Sequence, residues 1–262
     1  MKPYLDLLKN VLENGTERKD RTGVGTIGIF GASAEYDLVG GFPLVTTKKM
    51  YWKGVVEELL WILRGETNIN YLKSKNVHIW DEWADENGDL GPLYGHQMRN
   101  WNSQGVDQLQ NLIDGLKNDP YSRRHVISLW NPGQLNDMAL PPCHGIVIQF
   151  YVTGKLLSCS MYQRSADLFL GVPFNIASYS LLTLILAKMC GYLPDKFIHF
   201  IGDCHIYKNH IEQVKTQIGR TPYQPPYVSL QPPFDDISKY NYDNISLFGY
   251  RHHEPLRGEV AV

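Results

Sequence analysis

Apolar side chains recur along this chain at helical spacing, most clearly in its first half. Leu5, Leu8, Val11 and Leu12 precede Gly15; Val55, Val56, Leu59, Leu60 and Leu63 precede Gly65; Leu109, Leu112, Ile113 and Leu116 precede Asp119-Pro120. Steps of three and four put each set on one helix face, and a glycine or Asp-Pro supplies a stop, so each segment is predicted as an amphipathic helix. The stretch 176–190 is apolar on nearly every face and ends at Gly191. Such a helix is stable only when enclosed on all sides, which puts its N-terminal end, around Phe174-Asn175, where a site can be walled in. Runs at 26–30, 125–130, 145–152, 156–163 and 196–201 are predicted as strands. Strands and helices mix without strict alternation, so the fold class expected is α+β (mixed α/β), a large mixed β-sheet with helices packed around one long buried helix. No repeat, low-complexity tract or Gly/Ser linker divides the sequence, and residues 1–262 are expected to form a single domain.

Thr153-Gly154 reads as a two-residue turn between two of these strands. Extending that hairpin sets Cys143 opposite Arg164 and His144 opposite Gln163, with a bulge able to shift the register by one. A guanidinium beside a thiol favours the thiolate, so Cys143 is expected to have a lowered pKa and to act as a nucleophile. Pro141-Pro142 cannot donate ladder hydrogen bonds and places Cys143 at a strand start. His144 faces the other way and is expected to be a hydrogen-bonded surface histidine, not a base for Cys143. Cys159, Cys190 and Cys204 read as small buried hydrophobes.

Composition narrows the chemistry. Hydrophobic residues make up 43% of the chain, enough for a packed core, and Lys+Arg total 25 against Asp+Glu 27, a formal net charge of -2. Overall charge therefore gives no general grip on a nucleic-acid backbone, and nucleic acid is not an expected partner. The sequence shows no signal-like segment and no run of about 20 apolar residues, so a cytoplasmic protein without membrane partners is expected. Four cysteines with no CxxC pair suit neither a disulfide framework nor a zinc signature, and no metal is expected. Arg21, in the turn 20–25, and Arg123-Arg124, after Pro120, suggest an anionic ligand, because guanidinium forks match phosphate oxygens. The aromatic and acidic segment 79–89 carries Trp80 and Trp83, suited to a wet wall or to stacking on a flat ligand. Glu58 lies in an otherwise apolar helix and is either a partly exposed carboxylate or, if buried, a proton-transfer group with a raised pKa.

Pro142-Cys143-His144, the block 162–167 (Tyr-Gln-Arg-Ser-Ala-Asp) and the block 171–179 (Gly-Val-Pro-Phe-Asn-Ile-Ala-Ser-Tyr) resemble the core signature of folate-dependent thymidylate synthase. Blocks at 20–23, 42–48, 58–61, 79–84, 122–124, 202–207 and 260–262 resemble family blocks in the right order, so the likeness spans essentially the whole chain. The resemblance implies the thymidylate synthase fold, dimerising through the sheet, and reductive methylation of dUMP to dTMP with 5,10-methylenetetrahydrofolate as carbon and hydride donor. It implies a phosphate held by Arg21, Arg164 and Ser165 of one subunit and by Arg123 and Arg124 donated across the homodimer interface. Cys143 would add to C6 of uracil, Tyr94 assist proton removal at C5, and Glu58 arrange proton transfer around O4. Asn175 and Gln163 would contact the nucleotide, with His205 and Tyr207 on the ribose. Asp167 would hydrogen-bond the pterin, with Ile79, Trp80, Trp83, Leu170, Gly171 and Phe174 around the folate and Lys48 near its glutamate tail. Ala261 and Val262 would close over it. Neither metal nor flavin is implied; the flavin-dependent enzyme of the same name has an Arg-His-Arg signature that is absent here. Met98, Tyr51 and Gly54 depart from the usual family residues on the cofactor side. The nearest rival is a dUMP 5-hydroxymethyltransferase of the same fold; Asn175 suits uracil rather than cytosine. A non-catalytic RNA-binding protein on this fold would need a basic face.

Overall fold

The computed structural model describes residues 1–232 and 234–260. The amphipathic segments form α1 (Lys2–Asn14), α2 (Trp52–Leu63) and α5 (Gln108–Asn118), each within a few residues of its predicted span. Asp107 caps α5 by accepting from the Gln110 amide, which satisfies one otherwise unpaired donor of the first turn. The short helices α3 (Asn70–Ser74) and α4 (Tyr94–Arg99), and α7 (Ile211–Ile218), had no clear signal in the sequence. The buried helix α6 spans Gly171–Cys190 and begins earlier than the apolar run, because Pro173 is tolerated in a first turn and Asp167 accepts from the Phe169 and Leu170 amides just ahead of it. It stops at Gly191, whose φ of 79° closes the helix in the left-handed region. Among the described residues α6 is the helix long and apolar enough to cross a bilayer, and most of it is enclosed by protein.

The main sheet has the order β1-β2-β6-β5-β4-β3, with β1 (Thr16–Arg18), β2 (Thr26–Asp37), β3 (Val126–Ile127), β4 (Val147–Thr153), β5 (Leu156–Asp167) and β6 (Leu193–Tyr207). β5 and β6 pair in parallel and the remaining neighbours are antiparallel, so the sheet is mixed. Parallel neighbours need a long crossover, and α6 supplies it. A separate ribbon pairs β7 (Tyr227–Leu230) with β8 (Ile245–Phe248). Strands β2 and β6 run well past their predicted ends, because tertiary pairing extends them where the local pattern is weak. The run predicted at 125–130 shrinks to two residues, since the Gln108 side chain takes both the Ser128 amide and its carbonyl.

The hairpin register corrects the sequence reading. Thr153 pairs with Leu156 and Val147 with Tyr162, so the turn is Gly154-Lys155, and β5 meets β4 two residues later than expected. Cys143 and Arg164 still meet. Gly145 adopts φ 66°, the ladder breaks there, and the Arg164 amide donates to the Cys143 carbonyl at 2.9 Å. Cys143 therefore lies in an irregular loop before β4 and not at the strand start.

One face of the sheet packs on α6 and the other faces outward. On the outer face Val147 sits beside Tyr162 and Tyr162 beside Phe200, an apolar row that this chain leaves exposed. On the inner face Leu181, Leu182, Ile185 and Leu186 of α6 are buried against the sheet and its neighbours. Leu181→Ala is expected to lower the unfolding free energy by about 2–5 kcal/mol, read from the urea midpoint, because the enclosing wall cannot collapse into the cavity.

Candidate active site

A cleft of about 490 Å³ opens beside the start of β2 and the C-terminal ends of β5 and β6. Its walls include Arg21, Cys143, Arg164, Ser165, Asp167, His205, Tyr207 and Trp83, all singled out from sequence. Arg18, Lys19, Thr26, Leu140, Pro141 and Asp203 line it as well and were not among the predicted site residues. The turn that presents Arg21 is built by Asp20, which accepts from the Thr22 amide and hydroxyl and the Gly25 amide. The Thr22 hydroxyl bond is the largest influence holding the Asp20 carboxyl below the usual carboxylate range. Arg164 has a double use. Its Nε and Nη2 donate to the carbonyls of Pro142 and Pro141, fixing the loop that carries Cys143, and its remaining donors are left for an anion. Asp203 accepts from Arg18 and bonds His205 Nδ1 at 2.9 Å, which orients that imidazole from behind. A carboxylate two residues before the histidine is the cue in the sequence, since positions i and i+2 of a strand share one face.

Cys143 sits half-buried with the Tyr94 hydroxyl 3.5 Å from its sulfur and 3.1 Å from its amide nitrogen, which donates to that oxygen. Burial pushes its thiol above the ordinary value, and the Tyr94 and Arg164 contributions pull it back only in part. The expected lowering by arginine is thus corrected: desolvation of a thiolate outweighs one guanidinium already committed to backbone carbonyls. Burial and the adjacent Cys143 also raise Tyr94 well above a free phenol.

His144 is not the surface histidine expected. Its ring stacks on Tyr94 at 4.3 Å between centroids and 9° between planes, and its Nδ1 lies 2.8 Å from the Tyr179 hydroxyl. Burial lowers its pKa to about 4, so it is neutral at physiological pH. Glu58 accepts from the Trp80 indole at 2.8 Å, and burial lifts its carboxyl to about 7, the indole bond pulling the other way. Trp80 belongs to the core, 8% exposed and packed on Trp61, Trp83 and Tyr94, so it is Trp83 that lines the cleft. Asn175, 8% exposed near the start of α6, has no hydrogen bond from its amide side chain to protein among the described residues.

Other residues are placed differently. Gln163 is buried, donating to the Ser165 carbonyl and bonded to His199, and it does not line the cleft. Lys48 is buried too, donating to the Phe169 carbonyl with its ammonium 3.8 Å above the Phe169 ring, and burial lowers it to about 8. Ile79, Leu170, Gly171 and Phe174 are partly buried. Arg123 and Arg124 are exposed and lie away from this cleft. Ala261 and Val262 lie outside the described residues. At the departures from the usual pattern, a Cβ at Gly54 would stand 2.5 Å from the Tyr51 ring, so that ring fills the space of a side chain at 54, and Met98 is buried. No group of three or more potential metal ligands occurs among the described residues.

Fold and site together define a mixed α+β protein with a cysteine set in an arginine-rimmed, anion-receptive cleft. The family model described as thymidylate synthase matches residues 2–262. The chain belongs to the thymidylate synthase family, methyltransferases that use methylenetetrahydrofolate as co-substrate.

The Glu58 carboxyl gives a signed pH effect. Its folded value, about 7, lies above its unfolded value, 4.5, so between them the folded chain binds a proton that the unfolded chain has released. The stabilisation is complete below the unfolded value and is lost as pH rises through about 7. Urea unfolding across that window is expected to show a downward slope that is reduced in Glu58→Gln; equal slopes in the two proteins would refute the assignment.

Proposed function

We propose that this chain is a thymidylate synthase, converting dUMP to dTMP while 5,10-methylenetetrahydrofolate becomes dihydrofolate. The observation that carries the reading is the triangle of Cys143 sulfur, Tyr94 hydroxyl and Arg164, at the edge of a cleft whose other arginines are Arg18 and Arg21. The arginines and Ser165 hold the phosphate, with His205 and Tyr207 at the ribose. A nucleotide in the cleft displaces water and brings its phosphate against Arg21 and Arg164. Cys143 adds through sulfur to C6, and the displaced electron pair collects on C5 and O4. The free amide of Asn175 offers a donor for O4 and an acceptor for N3-H, the pairing uracil requires. Glu58, with its pKa near neutrality, exchanges a proton on the O4 side, where an ordinary carboxylate would stay ionised. Tyr94 serves removal of the C5 proton once carbon is attached there. The folate supplies the one-carbon unit, and its hydride then reduces that carbon as Cys143 leaves C6, which restores the ring double bond, frees the product and oxidises the folate to dihydrofolate. Asp167, Trp83, Leu170, Gly171 and Phe174 form the wall offered to its pterin and ring, with Ile79 and Trp80 packed behind; Lys48 stiffens the Phe169 segment in this state.

The exposed row Val147, Tyr162 and Phe200 supports a homodimer through the sheet, because a contiguous apolar face on one side of a mixed sheet is costly in water. In that dimer, Arg123 and Arg124 of the partner subunit complete the phosphate site. The full chain works as one catalytic domain in the cytoplasm. A second reading, dUMP 5-hydroxymethyltransferase, is favoured by the Tyr51–Gly54 exchange and by Met98, which alter the cofactor side where water would be admitted.

Incubation with dUMP and methylenetetrahydrofolate is expected to yield dTMP and dihydrofolate by mass and absorbance, both absent with Cys143→Ala. A product heavier by one oxygen, without dihydrofolate, would establish the second reading. Mixing Cys143→Ala subunits with Arg123→Ala/Arg124→Ala subunits, each inactive alone, is expected to restore about a quarter of wild-type activity, since random pairing yields one intact site in half of the dimers. Absence of restoration in a mixture shown to exchange subunits would refute donation across the interface.

A further inference from the structure

We propose that Tyr179 is a positioning residue for the Tyr94 hydroxyl, acting through the His144 ring. Tyr179 lies on α6, 5% exposed, and its ring stacks on Phe197 at 5.8 Å and 9°, so it is fixed from behind. Its hydroxyl meets His144 Nδ1 at 2.8 Å. That bond sets the rotation of the imidazole, whose face lies flat on Tyr94 at 4.3 Å. Tyr94 in turn reaches the Cys143 amide at 3.1 Å and the Cys143 sulfur at 3.5 Å.

Packing alone does not account for a hydroxyl at this position. A phenylalanine would fill the same space against Phe197 without the cost of burying a polar group. The backbone also makes room for the hydroxyl: a Cβ at Gly145 would stand 2.6 Å from the Tyr179 oxygen and 2.6 Å from Leu129. Gly145 is therefore held to glycine twice, by its φ of 66° and by the approach of Tyr179. The neutral His144 suits the arrangement, since a stack on Tyr94 needs a flat ring without a buried charge. The chain of contacts runs from the floor of α6 to the nucleophile and leaves Tyr179 itself outside the cleft wall.

The test reads the thiol and turnover separately. Cys143 is faced by Tyr94, Arg164 and His144, and alkylation by iodoacetamide as a function of pH, followed on the Cys143 peptide by mass, reports on that environment without any substrate. In Tyr179→Phe the alkylation midpoint is expected to rise by about half a pH unit as the Tyr94 bond to sulfur loosens. The turnover rate is expected to fall about tenfold while the nucleotide KM stays within about twofold. Tyr94→Phe should show the same midpoint, and the double variant no further change, because both substitutions break one chain of contacts. An unmoved midpoint in Tyr179→Phe, or additive changes in the double variant, would overturn the proposal. Should Tyr179→Phe not fold, His144→Phe, which keeps the stack and lacks the Tyr179 bond, must reproduce the rise, and an unmoved midpoint there overturns it equally. The turnover arm rests on the synthase reading, whereas the thiol arm does not, so a protein inactive toward dUMP with a shifted midpoint would count against the reaction and for Tyr179.

Discussion

The parallel pairing of β5 with β6 is the constraint from which the rest of this structure follows. Antiparallel neighbours need only a tight turn, but parallel ones need a connection that returns the chain across the sheet. α6 is that connection, and a crossover lying on the inner face of the sheet is shut off from water. That α6 carries a single charged residue, Lys188 in its last turn, is the chemical consequence. Its start falls at the C-terminal end of β5, so Asp167, Asn175 and Tyr179 are delivered to one end of the core, beside Asp203 and His205 at the end of the parallel strand.

Desolvation does much of the chemical tuning at that end. One buried environment lifts the Glu58 carboxyl toward neutrality, holds His144 uncharged and raises both the Cys143 thiol and the Tyr94 phenol. These shifts have a common sign in physical terms, since each favours the uncharged form. The arginines supply the opposing influence at the rim, where Arg21 and Arg164 line the cleft and where Arg164 is tied to the loop that carries Cys143. The cleft rim, the loop geometry and the thiol of Cys143 are therefore linked through one side chain.

Much of the element plan was legible in the sequence, because helical periodicity and glycine stops are local properties. α1, α2 and α5 emerged close to their predicted spans, and the apolar run of α6 announced its burial. The strands were less legible. β2 and β6 owe much of their length to each other, and the segment at 125–130 lost its ladder to the side chain of Gln108. At the site, Cys143, Arg21, Arg164, Asp167 and His205 stood out by residue type and motif, and they do share a cleft. Lys48 and Gln163 stood out equally and are turned into the protein, which residue type cannot disclose.

The sequence by itself determined which segments are helical, that one helix is enclosed, which family the chain resembles and which residue types carry the chemistry, since periodicity, turn signals and motifs need only short stretches of chain. Tertiary structure alone decided the break at Gly145 by which Cys143 still meets Arg164 in a shifted register, the stacking of His144 on Tyr94 with its edge to Tyr179, and the direction of the thiol's pKa. Those depend on distances between residues far apart in the chain and on how much water they exclude together. A residue's charge is written in its letter; the dielectric around it is set by everything packed against it.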